Sequence, residues 1–204
     1  MVERIPTGMD GLDELIEGGF PEKSVNLVAG GPGTGKTIFC SQFLWKGLQE
    51  GDNCLFITME EDSDEILEDA KEFGWDFGEY EEEGSFEIEF VNPFQIGEGL
   101  KEHIVELVNK MDADRVVIDS ISVMGMYTQG AAEVRRRLYE LIKHLRRKEV
   151  TTVITSEAPK GEEDSISRFG VEEFVSDTVV TLHYMGIGGG IFRNIEVPKI
   201  RKTD

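Results

Sequence analysis

Apolar residues along the chain form short runs of strand length, which alternate with segments whose apolar positions recur at helical spacing. The runs that predict strands are Ser24–Ala29, Asn53–Met59, Phe86–Val91, Arg115–Asp119 and Thr151–Thr155. The segments that predict helices are Thr37–Leu48, a segment capped by Asp62 or Ser63, Leu100–Met111 and Glu133–Lys148. This alternation favours a three-layer α/β fold, in which a mostly parallel central sheet carries helices on both faces.

The last part of the chain has a different pattern. Asp177–Met185 and Ile191–Ile200 are strand-length segments joined by the glycine-rich Gly186–Gly190, which predicts an antiparallel pair at the edge of the sheet. Gly78–Gly84 is rich in glutamate and is interpreted as an acidic surface turn. Because the chain shows no internal repeat and no domain linker, residues 1–204 are expected to form a single domain.

A phosphate-binding loop is the strongest motif in the chain. Gly30–Thr37 matches G-x-x-x-x-G-K-[ST] between a predicted strand and a predicted helix, the context that the motif requires. Glycines let backbone N–H groups approach phosphate oxygens, Lys36 can reach the β- and γ-phosphates of ATP, and the Thr37 hydroxyl can ligate Mg²⁺. The competing interpretation is a glycine-rich turn with an incidental lysine. The predicted nucleotide-binding residues are Gly31, Pro32, Gly33, Thr34, Gly35, Lys36, Thr37 and Ile38.

Acidic residues end two of the other predicted strands. Asp119 closes a strand whose middle is apolar throughout, and a carboxylate there can hold a Mg²⁺-bound water near the phosphates. Glu60 and Glu61 follow the second strand, and one of them can orient or deprotonate the attacking water. Spacing alone supports equally well a second interpretation of these two glutamates, as acids that favour the N-terminus of the next helix.

These residues together resemble the RecA superfamily and, within it, the KaiC-like ATPases. The resemblance starts with the N-terminal stretch Ile5–Pro21 and continues through the phosphate-binding loop, Glu60-Glu61 and Asp119-Ser120. It extends through Arg168–Asp177 to Lys199-Ile200-Arg201, so that it covers essentially the whole chain. Domains of this family usually continue beyond that last motif, which means that the chain is either a compact member or a fragment.

The resemblance implies several properties that spacing does not show. One of the paired glutamates Glu60 and Glu61 would be the catalytic base. Members of the family form rings, commonly hexamers, with ATP at the subunit boundaries, so this chain is expected to be a homo-oligomer. Lys199 and Arg201 would then reach the γ-phosphate bound by the neighbouring subunit and act there as an arginine finger does. Without the family, these two residues would be interpreted as a solvated basic terminus.

Composition limits the partners. The net charge of −20 repels a nucleic-acid backbone, and the predicted loop Lys160–Asp164 is acidic. The basic clusters Arg135–Arg137 and Arg146–Lys148 lie on a helix with an intact apolar stripe and are interpreted as solvated or subunit-facing.

No apolar run approaches the ~20 residues needed to span a membrane. With only Cys40 and Cys54 and no signal sequence, a cytoplasmic location is expected.

Three functions compete with a slow Mg²⁺-dependent ATPase that works in signalling or regulation. A non-hydrolytic switch, in which ATP binding assembles a ring that recruits an unknown protein, uses the same residues. A DNA-binding recombinase is disfavoured by the negative charge. An autokinase is disfavoured because the positions that carry phosphorylated hydroxyls in such family members align with Glu173 and Phe174, which have none.

Overall fold

The computed structural model describes residues 2–92, 94, 99–126, 128, 130–159, 165–187 and 190–203. In this part of the chain, seven strands form one sheet: β3 (Val25–Gly30), β4 (Cys54–Thr58), β5 (Phe86–Phe90), β6 (Arg115–Asp119), β7 (Thr151–Glu157), β8 (Thr178–Ile187) and β9 (Gly190–Ile200). Their order across the sheet is β5-β4-β6-β7-β3-β8-β9. All neighbours pair in parallel except β8 and β9, which are antiparallel. The predicted fold class and the antiparallel edge are therefore confirmed.

Helices cover both faces of the sheet. They are α1 (Asp10–Leu15), α2 (Lys36–Glu50), α3 (Ser63–Glu72), α4 (Gly78–Glu83), α5 (Leu100–Met111), α6 (Ala131–Arg147) and α7 (Glu172–Val175). Alternate residues of β6 pack on opposite faces of the sheet. Val116 and Ile118 pack with α5 and α6, whereas Val117 packs with α2 and α3. This burial on both faces explains why the parallel strands are apolar throughout.

The interpretation of Gly78–Gly84 as an acidic surface turn is wrong, because Gly78–Glu83 forms a helix. The segment has no apolar stripe that would have predicted a helix. Its Tyr80 ring packs edge-on against Trp45 of α2, with 5.6 Å between the ring centroids, and Gly84 ends the helix in a left-handed conformation. A contact with a distant element, rather than local periodicity, thus accounts for α4.

The N-terminal stretch adds a small sheet that the hydrophobic pattern did not predict. Strands β1 (Arg4–Ile5) and β2 (Phe20–Pro21) pair antiparallel around α1. The Asp13 carboxylate of α1 accepts hydrogen bonds from the backbone of Thr7 and Gly8 and from the Thr7 hydroxyl. The connection between β8 and β9 is shorter than the predicted Gly186–Gly190, because β8 continues to Ile187 and β9 begins at Gly190. Residues 188 and 189 lie outside the described residues.

Arg115, at the start of β6, ties several elements together although its side chain is only 1% exposed. Its guanidinium donates to the carboxylates of Asp52 and Glu50 at 2.6 and 2.9 Å, and to the carbonyls of Pro6 and Phe43 at 2.7 and 3.1 Å. These contacts join β6 to α2 and to the N-terminal stretch. A buried guanidinium requires such a set of partners, since an unpaired charge would be costly to bury.

Candidate nucleotide site

The phosphate-binding loop lies between the end of β3 at Gly30 and the start of α2 at Lys36. Gly33 and Gly35 have φ angles of 73° and 101°, the left-handed region that favours glycine. A Cβ on Gly30 would lie 2.5 Å from the Thr34 hydroxyl oxygen and 2.8 Å from the Leu182 carbonyl. The Thr34 hydroxyl in turn donates to the Gly31 carbonyl at 2.8 Å. Glycine is thus required by the path of the loop, as the motif predicts.

Charged and hydroxyl groups of the two motifs converge below the loop. The Lys36 ammonium donates to the carbonyls of Gly30 and Gly31 at 3.2 and 3.1 Å. The Thr37 hydroxyl donates to the Asp119 carboxylate at 2.8 Å, although the two residues are far apart in the sequence. The other oxygen of that carboxylate accepts a hydrogen bond from the Thr155 hydroxyl, which fixes its orientation. Lysine, hydroxyl and carboxylate are therefore arranged as nucleotide and Mg²⁺ ligands would require.

A cleft of about 330 Å³ opens above these groups. Its lining contains most of the residues predicted from the sequence: Pro32, Gly33, Gly35, Lys36, Thr37, Ile38, Glu60, Glu61 and Asp119. Gly31 and Thr34 shape the loop through their mutual hydrogen bond and do not line the cleft. Glu157 also lines the cleft, at the end of a predicted strand whose last polar residues can contact the γ-phosphate. Three lining residues were not predicted as site residues: Thr58, Asp69 and Arg193.

Glu60 and Glu61 both face this cleft after the end of β4. Partial burial raises the pKa of the Glu60 carboxyl, and the negative charges of Glu157 and Asp119 raise it further. The pKa of Glu61 is also raised by burial and by Asp119. The residue that caps α3 is Asp62, whose side chain accepts a hydrogen bond from the Asp64 backbone. Both carboxyl groups therefore lie in the cleft with raised pKa values, and Asp62 rather than either glutamate caps α3.

Arg193 adds a second positive charge to the cleft, on the antiparallel edge strand β9. It lies opposite Tyr184 of β8, and its guanidinium carbon is 5.8 Å from the centre of the Tyr184 ring. The Tyr184 hydroxyl donates to the Gly33 carbonyl, so this aromatic residue joins the edge strand to the phosphate-binding loop. The sequence signal for Arg193 was weak, because it belongs to no local motif and reaches the cleft only through the register of β8 and β9.

Lys199 and Arg201 lie at the end of β9 that is farther from the phosphate-binding loop. The register places Gly30 beside Leu182 on β8, whereas Ile200 is opposite Thr178. Four residues of strand span about 13 Å, and two strand spacings add about 10 Å sideways. The structure therefore does not bring these two residues into the cleft of their own chain.

Both residues are held by backbone and side-chain acceptors around α7. The Lys199 ammonium donates to the carbonyls of Glu173 and Ser176 at 2.7 and 2.6 Å. Burial, together with the nearby charge of Arg201, lowers the pKa of Lys199. The Arg201 guanidinium lies 3.3 Å from the Asp177 carboxylate and is half exposed.

The remaining sequence-based expectations concern the surface. No helix in the described ranges has the length and apolar character needed to cross a membrane. Cys40 and Cys54 are buried and unbridged, and the described residues contain no group of three or more histidine, cysteine or carboxylate side chains arranged for a metal ion. The predicted acidic loop Lys160–Asp164 lies outside the described residues.

Comparison with known proteins gives matches over essentially the whole chain. A family model described as "ATPase: KaiC" matches residues 5–204. Circadian clock protein KaiC3 of Synechocystis sp. is 36% identical over 214 residues, which cover 100% of this chain and 42% of that protein. A UPF0273 protein of Methanopyrus kandleri is 34% identical over 220 residues, which cover 99% of this chain and 85% of that protein.

A solved structure agrees with these sequence matches. A KaiC-like protein from the hyperthermophilic archaeon Pyrococcus horikoshii OT3 has a TM-score of 0.88 and 37% sequence identity, with 100% of this chain and 91% of that chain covered. The chain thus spans about two fifths of the length of the clock protein KaiC3, and most of the length of the two archaeal relatives.

Proposed function

The chain belongs to the KaiC family of ATPases, and from this premise we propose that it hydrolyses ATP, with Mg²⁺, at the boundaries between identical subunits of a ring. The observation that carries the proposal is the 2.8 Å hydrogen bond between Thr37 and Asp119 in a cleft that also contains Lys36 and two glutamates. We further propose that the ring serves signalling or regulation through a protein partner that responds to its nucleotide state.

The groups at the base of the cleft fit Mg²⁺. The Thr37 hydroxyl and the Asp119 carboxylate are oxygen donors within hydrogen-bond distance of each other, and Mg²⁺ is bound in proteins by such oxygens together with substrate phosphates. When bound, Mg²⁺ supplies positive charge against the β- and γ-phosphate oxygens. Thr155 holds the Asp119 carboxylate in place from the side away from Thr37.

The loop and two cations would bind the triphosphate. Lys36 would exchange its contacts with the carbonyls of Gly30 and Gly31 for phosphate oxygens, while the loop N–H groups and the N-terminus of α2 face the same anion. Arg193 would approach the phosphates from the edge strand. This local positive charge is needed because the chain as a whole carries −20.

One of the cleft glutamates would accept the proton of the attacking water as its oxygen bonds to the γ-phosphorus, and ADP would leave. A raised carboxyl pKa brings the base closer to neutral pH, where proton transfer is more efficient while the group remains ionised. The register of β8 and β9 supports the assignment of Lys199 and Arg201 to the γ-phosphate of a neighbouring subunit, since neither residue lines the cleft of its own chain.

The experiment combines Mg²⁺-dependent ATP hydrolysis with mass in solution, with and without ATP. Lys36→Ala, Glu60→Gln with Glu61→Gln, and Arg201→Ala should each reduce turnover by at least about 100-fold, as removal of a phosphate ligand, a base or an arginine finger does. Arg147→Ala, on an exposed side chain remote from the cleft, is the matched control.

Mixing distinguishes action in trans from a general loss of activity. Arg201→Ala protein mixed with the double glutamine protein should recover part of the turnover, because some boundaries then combine an intact cleft with an intact Arg201. A wild-type chain that stays monomeric with ATP and Mg²⁺ would contradict the ring. ATP-dependent assembly without turnover would instead favour the non-hydrolytic switch.

A further inference from the structure

A pocket rich in arginine lies on the surface of this acidic chain, between α6 and the end of β9. It has a volume of about 460 Å³, and its lining includes Arg135, Arg136, Tyr139, Phe174 and Arg201. The Tyr139 and Phe174 side chains are 55% and 61% exposed. We call this surface the arginine pocket. Its charge and its exposed aromatic rings are typical of a surface that binds an anionic partner.

The cations of the pocket are neutralised to different extents. Arg136 forms ion pairs with Glu133 and Glu140, and Arg201 approaches Asp177. Arg135 is exposed, and the described residues place no carboxylate within ion-pair distance of it. Its guanidinium carbon lies 5.7 Å from the centre of the Phe174 ring. A guanidinium held on an aromatic face is pre-organised for a carboxylate from another molecule.

A second copy of this chain carries a matching acidic surface. Helix α3 borders the nucleotide cleft, since its Asp69 lines that cleft. Its exposed acids are Asp64, Glu65, Glu68, Asp69 and Glu72. None of these five carboxylates has an ion-pair partner in the described part of the chain. The acidic surface of α3 thus lies beside the nucleotide cleft of its own chain. The arginine pocket lies beside Arg201, the residue that we assign to the cleft of a neighbouring chain.

We propose that the arginine pocket binds helix α3 of a second copy of this chain. The inference rests on the proposed function, in which Arg201 reaches the neighbour's cleft and so carries the pocket that it lines towards the rim of that cleft. Arg135 and Phe174 form the centre of the contact, and Arg135 pairs with the acids of the neighbour's α3. Opposite charges on the two surfaces favour this docking and disfavour the reversed orientation.

Charge reversal tests the contact. Arg135→Glu should raise the protein concentration needed for ATP-dependent assembly by at least about tenfold, because like charges then meet across the contact. Arg147→Glu makes the same change on an exposed arginine of the same helix outside the pocket, and should leave assembly as in the wild type. Both monomers should unfold within a few degrees of the wild type, since the altered side chains are exposed.

Compensation identifies the occupant. The double variant Glu68→Lys with Glu72→Lys should by itself impair assembly. When it is combined with Arg135→Glu in one chain, assembly should be restored. Failure of this combination to restore assembly would overturn the assignment of α3. An Arg135→Glu protein that assembles like the wild type would overturn the pocket contact and leave the ATPase ring intact. A wild type that never assembles would overturn both proposals.

The same variants test whether the pocket binds nucleic acid instead of a second copy of the chain. A labelled single-stranded oligonucleotide should not bind the wild type measurably at physiological salt, given the overall charge of the chain. Oligonucleotide binding that is lost in Arg135→Glu but not in Arg147→Glu, with unchanged assembly, would assign the pocket to nucleic acid and overturn the proposal.

Discussion

Gly47→Ala tests whether the buried Arg115 fixes the packing of α2 on the sheet. Gly47 lies in the interior of α2, and a Cβ there would lie 2.5 Å from the Nε atom and 2.6 Å from the Cδ atom of Arg115. These separations are far below a normal contact. The guanidinium cannot move away freely, because it donates to Asp52, Glu50 and the Pro6 carbonyl at 2.6 to 2.9 Å.

The size of the effect follows from two opposing contributions. In a helix interior alanine is favoured over glycine by about 1 kcal/mol. Displacing Arg115 from its partners leaves a buried charge poorly paired, which costs about 3–5 kcal/mol. We therefore expect Gly47→Ala to lower the free energy of unfolding by about 2–4 kcal/mol, which corresponds to a decrease in Tm of roughly 4–16 °C for a chain of this length.

A double-mutant cycle provides the control. Arg115→Val removes the Nε, Cδ and Cζ atoms that a Cβ on residue 47 would meet. In that background Gly47→Ala should stabilise the chain by up to about 1 kcal/mol, since only the helix preference remains. Urea unfolding followed by circular dichroism measures all four proteins without nucleotide. An unchanged or higher stability of Gly47→Ala alone would refute the role given to Arg115.

Three further predictions concern the nucleotide cleft. Burial and the charge of Glu157 raise the pKa of Glu60, so the acid limb of the pH–rate profile should lie above the ordinary carboxyl range. Glu157→Gln should move that limb to lower pH, whereas an unmoved limb would assign the base to Glu61. Arg193→Ala should weaken ATP binding about tenfold in a titration, with unfolding in urea unchanged, because one exposed charge-assisted contact is lost. Asp119→Asn should raise the Mg²⁺ concentration at half-maximal turnover, and an unchanged Mg²⁺ dependence would contradict the ligand role of this carboxylate.

The sequence predicts those parts of the site whose chemistry is local. Lys36 and Thr37 belong to one loop, whose glycines are required by the path of the backbone. Asp119 and Glu60 follow apolar strands, and the carboxyl ends of parallel strands meet at one edge of a sheet. A local pattern therefore suffices to predict Lys36, Thr37 and Asp119, whereas the role of Glu60 follows only from the family resemblance. The structure places all four residues around one cleft.

Other features depend on contacts between distant parts of the chain. Arg193 enters the cleft because β9 pairs with β8 in a register that local sequence does not specify. Helix α4 forms although its segment lacks apolar periodicity, because Tyr80 packs against Trp45. Arg115 reads as the polar first residue of a buried strand, and nothing in the sequence shows that its partners are Asp52 and Glu50. Tertiary packing decides all three cases.

Gly30 pairs with Leu182 of β8 and Ile200 pairs with Thr178, so the phosphate-binding loop and the end of β9 lie four residues apart along β8. This separation has a consequence for mixed populations of subunits. If each boundary joins the cleft of one chain to Arg201 of the next, a subunit damaged only in its cleft inactivates a single boundary. A subunit damaged in both places inactivates the boundaries on its two sides. In randomly mixed rings, turnover then falls linearly with the fraction of a single variant, but as the square of the intact fraction for the double variant. Doubly damaged chains would thus act as dominant-negative inhibitors of the wild type.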